Sequence, residues 1–169
     1  MGLGKHHQVC QCKLLSIQKT AARAPAYTGT EDLAVQFVTP ANRITFHKTK
    51  FTEEIPFLPM FARLASRVAE LDTLYGDGTI QPQLDIPALQ AAAAAVGHLR
   101  VAGGFVAAQR TSTRTAQVKY LDGFAGEMRY RGNFTPFLPI LAYLPYVNIG
   151  HFNEGGCGWC RMKFVPPDQ

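Results

Sequence analysis

The chain has 169 residues, of which 47% are hydrophobic and 17% are charged. This length suits a single domain with its own core, and this composition excludes a disordered tail. The formal net charge is +5, and residues 51–100 are acidic whereas residues 1–50 and 101–169 are basic. Basic flanks favour a polyanionic partner, although an ordinary basic surface has the same composition.

The sequence has no apolar stretch long enough for a membrane-spanning helix, and its N-terminus lacks the apolar core of a signal peptide. We therefore expect a cytoplasmic protein with no membrane partner. In that compartment the four cysteines are expected to be thiols or metal ligands rather than disulfides.

The first predicted elements are strands. Residues 8–17 predict a short strand, and the polar residues 18–31 predict a linker. Residues 33–51 alternate β-forming side chains around a Pro-Ala-Asn interruption, which predicts a bent strand or a hairpin.

Two helices are predicted next. Residues 55–76 repeat apolar side chains every three or four positions, and Pro56 lies near the first turn, where a missing N–H costs little. Asp85 can cap a second helix over residues 86–99, whose alanine run has high helix propensity.

The pattern then returns to strands. Residues 105–121 predict a long strand, Asp122-Gly123 a hairpin turn, and residues 124–132 the returning strand. A short apolar helix over residues 134–147 and a glycine-rich segment lead to a last strand over residues 159–165.

This order is βαββαβ with one inserted helix, which predicts an α+β, ferredoxin-like domain over residues 33–169. Pro-Phe-Leu-Pro opens both main helices, at Pro56 and at Pro136, as expected for pseudo-symmetric halves. Residues 1–32 are interpreted as a strand and linker that form the tail of a preceding, missing domain of the same kind. They repeat the glycine turn and the Cys-and-basic strand of the C-terminus.

The glycine loop, residues 148–158, is the first candidate site. Its four glycines allow backbone N–H groups to approach a phosphate, although a plain tight connection would use the same residues. The loop follows a helix rather than a strand, so it matches neither a P-loop nor a dinucleotide fingerprint. The candidate phosphate-binding residues of the loop are Asn148, Gly150, His151, Asn153, Gly155, Gly156 and Gly158.

The second candidate site is a basic strand. A period of two places Arg110, Ser112 and Arg114 on one face, with Lys119 beyond, and two guanidinium groups with a hydroxyl suit a phosphate backbone. A solvated outer face is the alternative interpretation.

The histidines and cysteines carry less information. His47 and His151 are candidate general acids or bases, although a surface or structural histidine is the commoner role for each. Lys48, which lies next to His47, is a candidate phosphate-binding residue. The pairs at Cys10 and Cys157 have poor zinc spacing and context, so no metal site and no cofactor are predicted.

Residues 33–165 resemble the C-terminal domain of the CRISPR repeat-processing endoribonucleases of the RAMP superfamily. The likeness rests on five motifs in the same order. They are the strand before the first Pro-Phe-Leu-Pro, the Arg-Thr-Ser-Thr-Arg strand, Gly-Phe-Ala-Gly at 123–126, Pro136 to Pro139, and Asn-Ile-Gly-His-Phe-Asn-Glu-Gly-Gly-Cys-Gly-Trp-Cys-Arg. Three residues depart from the family pattern. His151 and Trp159 stand where the family commonly has basic residues, and Gly155 stands where it usually has a phenylalanine.

The resemblance implies binding of CRISPR repeat RNA and metal-independent cleavage in which the 2′-hydroxyl attacks the adjacent phosphate. The family's usual catalytic histidine lies in a first domain that this chain does not match, so cleavage needs other groups or another chain. Two alternatives stay open. The chain is a non-catalytic subunit that contacts other CRISPR-associated proteins, or an unrelated ferredoxin-like protein with thiol or metal chemistry.

Overall fold

A computed structural model describes residues 25–42, 44, 54–76, 78, 80 and 84–167. The predicted strand over residues 8–17, together with His47, Lys48, Cys10 and Cys12, lies outside these residues. None of the described helices is long and apolar enough to cross a membrane.

The predicted α+β, ferredoxin-like fold is confirmed by a four-stranded antiparallel sheet. Strand β1 spans Asp32–Ala41, β2 Gly97–Val106, β5 Gly123–Arg131 and β6 Cys160–Val165, and their order across the sheet is β2-β5-β1-β6. β1 therefore pairs with β5 and β6, which follow it far along the chain. This is the arrangement that two interleaved βαβ units produce. In each unit the two strands are not adjacent, and a strand of the other unit lies between them.

Helices cover one face of this sheet. Helix α1 spans Phe57–Tyr75 and α2 spans Ile86–Ala93, where the Asp85 carboxylate accepts the Ala88 N–H at 3.0 Å. The last helix is shorter than predicted, since a 3-10 turn over Thr135–Phe137 leads into α3, Leu138–Leu141. Leu33, Val35, Met128 and Tyr130 of the sheet are fully buried beneath these helices.

The long strand predicted over residues 105–121 is wrong. β2 begins at Gly97, inside the predicted second helix, and ends at Val106. The chain then forms a separate hairpin from β3, Gln109–Thr111, and β4, Val118–Tyr120, which we call the hairpin arm. The hydroxyl of Ser112 accepts the Thr115 N–H at 3.3 Å, and such local side-chain bonds favour a turn over a continuing strand.

The predicted hairpin turn at Asp122-Gly123 has a different role. The Asp122 carboxylate accepts the Ala108 N–H at 2.9 Å, and the Leu121 N–H donates to the Ala108 carbonyl at 2.8 Å. These bonds close the base of the arm, and Gly123 begins β5 directly after them.

Part of the predicted linker packs onto the domain. The ring of Tyr27 lies 4.6 Å from that of Phe164 between centroids, and its hydroxyl donates to the Gly132 carbonyl at 3.1 Å. The assignment of residues 1–32 to a preceding domain stays a prediction.

Candidate functional site

The glycine loop, the base of the hairpin arm and the end of β1 meet at one end of the sheet. The His151 N–H donates to the Asn42 carbonyl at 3.0 Å, and the Asn42 side-chain amide donates to the Asp122 carbonyl. From the arm, the ammonium group of Lys119 lies 5.8 Å from the centroid of the Phe152 ring. Tertiary structure thus brings the two candidate sites of the sequence into one region, which we call the loop–arm site.

Backbone conformation explains the glycines of the loop. Gly150, Gly156 and Gly158 have φ of +101°, +82° and +76°, values that L side chains rarely adopt. A Cβ on Gly158 would overlap the carbonyl oxygen of Ile149, and a Cβ on Gly150 would press on the carbonyl of Asn42. Without a side chain, Gly158 allows the loop to pack closely on Ile149, and Gly150 allows it to pack closely on Asn42 at the end of β1.

The loop N–H groups are largely engaged within the protein. Gly155 donates to the Phe152 carbonyl at 2.8 Å, Gly156 to that of Asn153 at 3.0 Å, and Gly158 to that of Pro40 at 3.0 Å. A phosphate cradle built from these three N–H groups, as the sequence suggested, would have to replace these bonds. Phosphate contacts at these glycines therefore stay a prediction. The exposed side chains of His151, Arg110 and Lys119 are accessible to a phosphate without the loss of such bonds.

The asparagines of the loop differ in their surroundings. Asn148 is half-buried, and Asn153 begins the 3-10 turn Asn153–Gly155. The Asn153 Oδ1 is buried without a hydrogen-bond partner among the described residues, as is the Asn42 Oδ1. Buried acceptors without partners are unusual in proteins, and these two lie below the surface of the loop–arm site.

The hairpin arm carries three cations and no acidic residue. Arg110 lies directly opposite Lys119 in the register of β3 and β4, and both are exposed. Arg114 lies in the turn at the tip, so the prediction that strand alternation aligns it with Arg110 and Ser112 is wrong. β3 ends at Thr111, where the Ser112 N–H bonds to the Gln117 carbonyl across the turn.

The two described histidines have different environments. His151 is exposed in the loop, with its ring centroid 6.4 Å from that of Phe152. His98 lies on β2, and its Nε2 is 3.2 Å from a carboxylate oxygen of Glu54. Of the candidate catalytic residues, the structure therefore places His151 in the loop–arm site.

The two described cysteines are buried next to the loop. Cys157 and Cys160 are 3% and 0% exposed, and the Cys160 thiol donates to the Gly158 carbonyl at 3.4 Å. Burial raises the pKa of the Cys160 thiol, so it stays protonated. Among the described residues, no three His, Cys, Asp or Glu side chains gather as metal ligands would.

Sequence reasoning missed Thr39, which clamps the loop to β1. Its hydroxyl donates to the Gly156 carbonyl at 2.8 Å and accepts the Trp159 N–H at 2.9 Å. The only signal was the Pro-Ala-Asn interruption after it, which marks the end of β1 but not what packs there.

The structure is that of an α+β, ferredoxin-like protein with a basic hairpin arm and a glycine loop at one end of its antiparallel sheet. The family model described as CRISPR-associated endoribonuclease Cas6 matches residues 35–160. This match extends over most of the chain, so the chain belongs to the Cas6 family, and the resemblance to the repeat-processing endoribonucleases is confirmed. Family membership excludes the alternative of an unrelated ferredoxin-like thiol or metal protein.

Solved structures share the fold. Thermus thermophilus Cas6 is 15% identical, with a TM-score of 0.55, and the match covers 88% of this chain and 58% of that chain. A Cas6 product complex is 15% identical, with a TM-score of 0.53 and the same coverage. A partial Cas6-RT-Cas1–Cas2 complex is 13% identical, with a TM-score of 0.54, over 88% of this chain and 26% of that chain.

The chain thus spans less than two thirds of the length of each of these solved chains. At such low identity, the similarity establishes the fold and leaves the chemistry to this chain's own residues. No curated protein matches the chain.

Proposed function

We propose that this chain binds CRISPR repeat-derived RNA at the loop–arm site. The observation that carries the proposal is the pairing of Arg110 with Lys119 across the hairpin arm. Like charges that face each other across two strands are destabilising, and a phosphate between them removes the repulsion. Arg114 at the tip of the arm and His151 in the loop extend this surface.

The experiment is a salt titration of binding to a short RNA hairpin. If roughly four to eight phosphates are contacted, log Kd against log salt has a slope of about 3 to 6 in magnitude. We expect the variant with Arg110→Gln and Lys119→Gln to bind more weakly and to reduce this slope by about 2, one for each lost cation. A matched control removes the same charge from α1 with Arg63→Gln and Arg67→Gln.

An arm variant with the slope and affinity of the parent protein would contradict the proposal, provided that its melting temperature is unchanged. A flat salt response of the parent protein would contradict it as well, because charge would then not drive binding.

We further propose that any cleavage is metal-independent and slow. In the family's chemistry a 2′-hydroxyl attacks the adjacent phosphate, which requires a base, an acid and positive charge at the phosphate. Among the described residues, His151 is the histidine at the loop–arm site, and His47 is the second candidate, with Lys48 beside it. Since the described part of this site holds one imidazole, we expect a chain that mainly binds RNA. Such a chain would act in the cytoplasm as a non-catalytic subunit in contact with other CRISPR-associated proteins.

The test measures cleavage in EDTA and identifies the cyclic phosphate product. We expect His151→Ala and His47→Ala each to lower the rate at which bound RNA is cleaved, measured with enough protein to saturate the RNA so that a change in affinity does not enter. His98→Ala serves as the control. Fast cleavage that survives both changes would contradict the assignment, and binding without cleavage would leave the chain as a binding subunit.

A further inference from the structure

Trp159 is a large aromatic residue fixed on the surface beside the glycine loop. The backbone N–H of Trp159 donates to the Thr39 hydroxyl at 2.9 Å, and its backbone carbonyl accepts the N–H of Val38 at 2.9 Å. The backbone is thus held on both sides, yet 36% of the residue stays exposed. Because the backbone is fixed on both sides, the indole projects from a defined point of the surface beside the glycine loop.

The neighbouring side chains on this surface are cationic. Strand alternation turns Cys160, Met162 and Phe164 toward the core, so Trp159, Arg161 and Lys163 project from the opposite face of β6. The guanidinium carbon of Arg161 lies 5.0 Å from the centroid of the Trp159 ring, within the range of a cation–π interaction. We call these three residues the Trp159 platform.

The chemistry of this platform suits an unpaired nucleobase. Bases stack on aromatic rings and on guanidinium planes, and positive charge beside them attracts the phosphates of the same strand. A hydrophobic protein partner would find Arg161 and Lys163 exposed within its contact surface, and the loss of their hydration would oppose binding. The platform also continues directly from Gly158, the last residue of the glycine loop.

We propose that the Trp159 platform stacks an unpaired nucleobase of the RNA that the loop–arm site holds. The inference rests on the proposed function, and it adds a separate contact on the face of β6 that is turned away from the core. Trp159 and Arg161 stack the base, and Lys163 attracts the adjacent phosphate.

The sequence contains a single tryptophan, so intrinsic fluorescence reports on this residue alone. Three RNAs serve as probes: a blunt hairpin, the same hairpin with a short single-stranded adenosine tail, and an isolated oligoadenosine. We expect the tailed hairpin and the oligoadenosine to quench the fluorescence of the protein, because a stacked base lies against the indole. The blunt hairpin is expected to change it little.

Affinity is measured separately by the anisotropy of labelled RNA. Because stacking on an aromatic ring stabilises each base substantially, we expect Trp159→Ala to weaken binding of the tailed hairpin by roughly 5- to 100-fold and to leave the blunt hairpin unchanged. Trp159→Phe keeps a ring and is expected to recover most of the affinity. Tyr75→Ala removes an aromatic residue that is 63% exposed at the end of α1, and it serves as the matched control.

Different results contradict different claims. Equal binding of both hairpins without quenching would overturn the Trp159 platform and leave the loop–arm site standing. Quenching by oligoadenosine without binding of the blunt hairpin would overturn the loop–arm site and keep the platform. If Trp159→Ala dissociates an oligomer and leaves every RNA affinity unchanged, the surface is a contact between copies of the chain, and the inference is wrong.

Discussion

Phe57 and Phe137, which hold the same place in the two Pro-Phe-Leu-Pro segments, pack against each other in the core. Their ring centroids lie 5.1 Å apart at an interplanar angle of 64°, an edge-to-face arrangement, and both residues are essentially buried. The repeated segment thus places one aromatic ring from each half of the domain at the contact between the helices.

The first prediction concerns this contact. We expect Phe57→Leu and Phe137→Leu each to lower the free energy of unfolding by about 1–3 kcal/mol. The loss of unfolding free energy in the double variant is expected to be smaller than the sum of the two single losses by about 0.5–1.5 kcal/mol. Either single change already removes the edge-to-face interaction, so the second change cannot remove it again. Urea unfolding measures all three. Leu99→Ala, an exposed position on β2, is expected to add to Phe57→Leu without coupling, and strict additivity at Phe137 would contradict the prediction.

The second prediction concerns the close approach of β2 and β5. Gly103 pairs with Gly126, both have positive φ, and a Cβ on either would overlap the backbone of the other strand. We expect Gly103→Ala to cost about 1–3 kcal/mol from backbone strain, with more from the overlap. Gly104→Ala is the control, since nothing lies within 4 Å of its Cβ position. Equal melting temperatures for the two variants would contradict this account.

The third prediction separates two glycines of the loop. Gly158 is buried with its Cβ position blocked by Ile149, whereas Gly156 is exposed with nothing within 4 Å. We expect Gly156→Ala to cost about 1–2 kcal/mol from its left-handed conformation alone and Gly158→Ala to cost more. Because Gly158 fixes the loop, its variant is also expected to bind hairpin RNA more weakly than Gly156→Ala at a temperature where both are folded. Thermal melting and RNA titration together decide the matter.

The fourth prediction concerns thiol reactivity. Burial raises the pKa of Cys160, so the reactive thiolate is scarcer near pH 8 than at an ordinary cysteine. We expect iodoacetamide to leave Cys160 unmodified in the folded protein and to modify it in urea, as peptide mass spectrometry measures. Rapid labelling of Cys160 under native conditions would show that the thiol is exposed.

The fifth prediction is that the purified protein holds no stoichiometric zinc. Within the part of the chain that the structure describes, Cys157 and Cys160 belong to no group of three His, Cys, Asp or Glu side chains that could hold a metal ion, and structural zinc needs four ligands. Elemental analysis is the measurement. About one zinc per chain, lost on Cys157→Ser, would reverse this expectation.

Local pattern was enough to predict the order of elements and therefore the fold. The three- and four-residue repeat of α1 and the alternation of β6 each reflect one buried face, which a single segment of sequence records by itself. The order βαββαβ then leaves few topologies, and the family motifs were found in the same order. The predicted boundaries between the second helix and the following strand were wrong. The alanine-rich segment has high helix propensity, but β2 begins at Gly97, inside the predicted helix.

The geometry of the candidate site depended on contacts between distant segments. Arg110 faces Lys119 only because the chain turns at Ser112. The N–H groups of His151 and Gly158 are engaged because Asn42 and Pro40, which are distant in the sequence, lie against the loop. Likewise, the backbone of Trp159 is fixed by the Thr39 hydroxyl and the Val38 N–H, which are distant in the sequence. Periodicity describes which face of one segment is buried, whereas the partner of each side chain is set by how the segments pair across the folded domain.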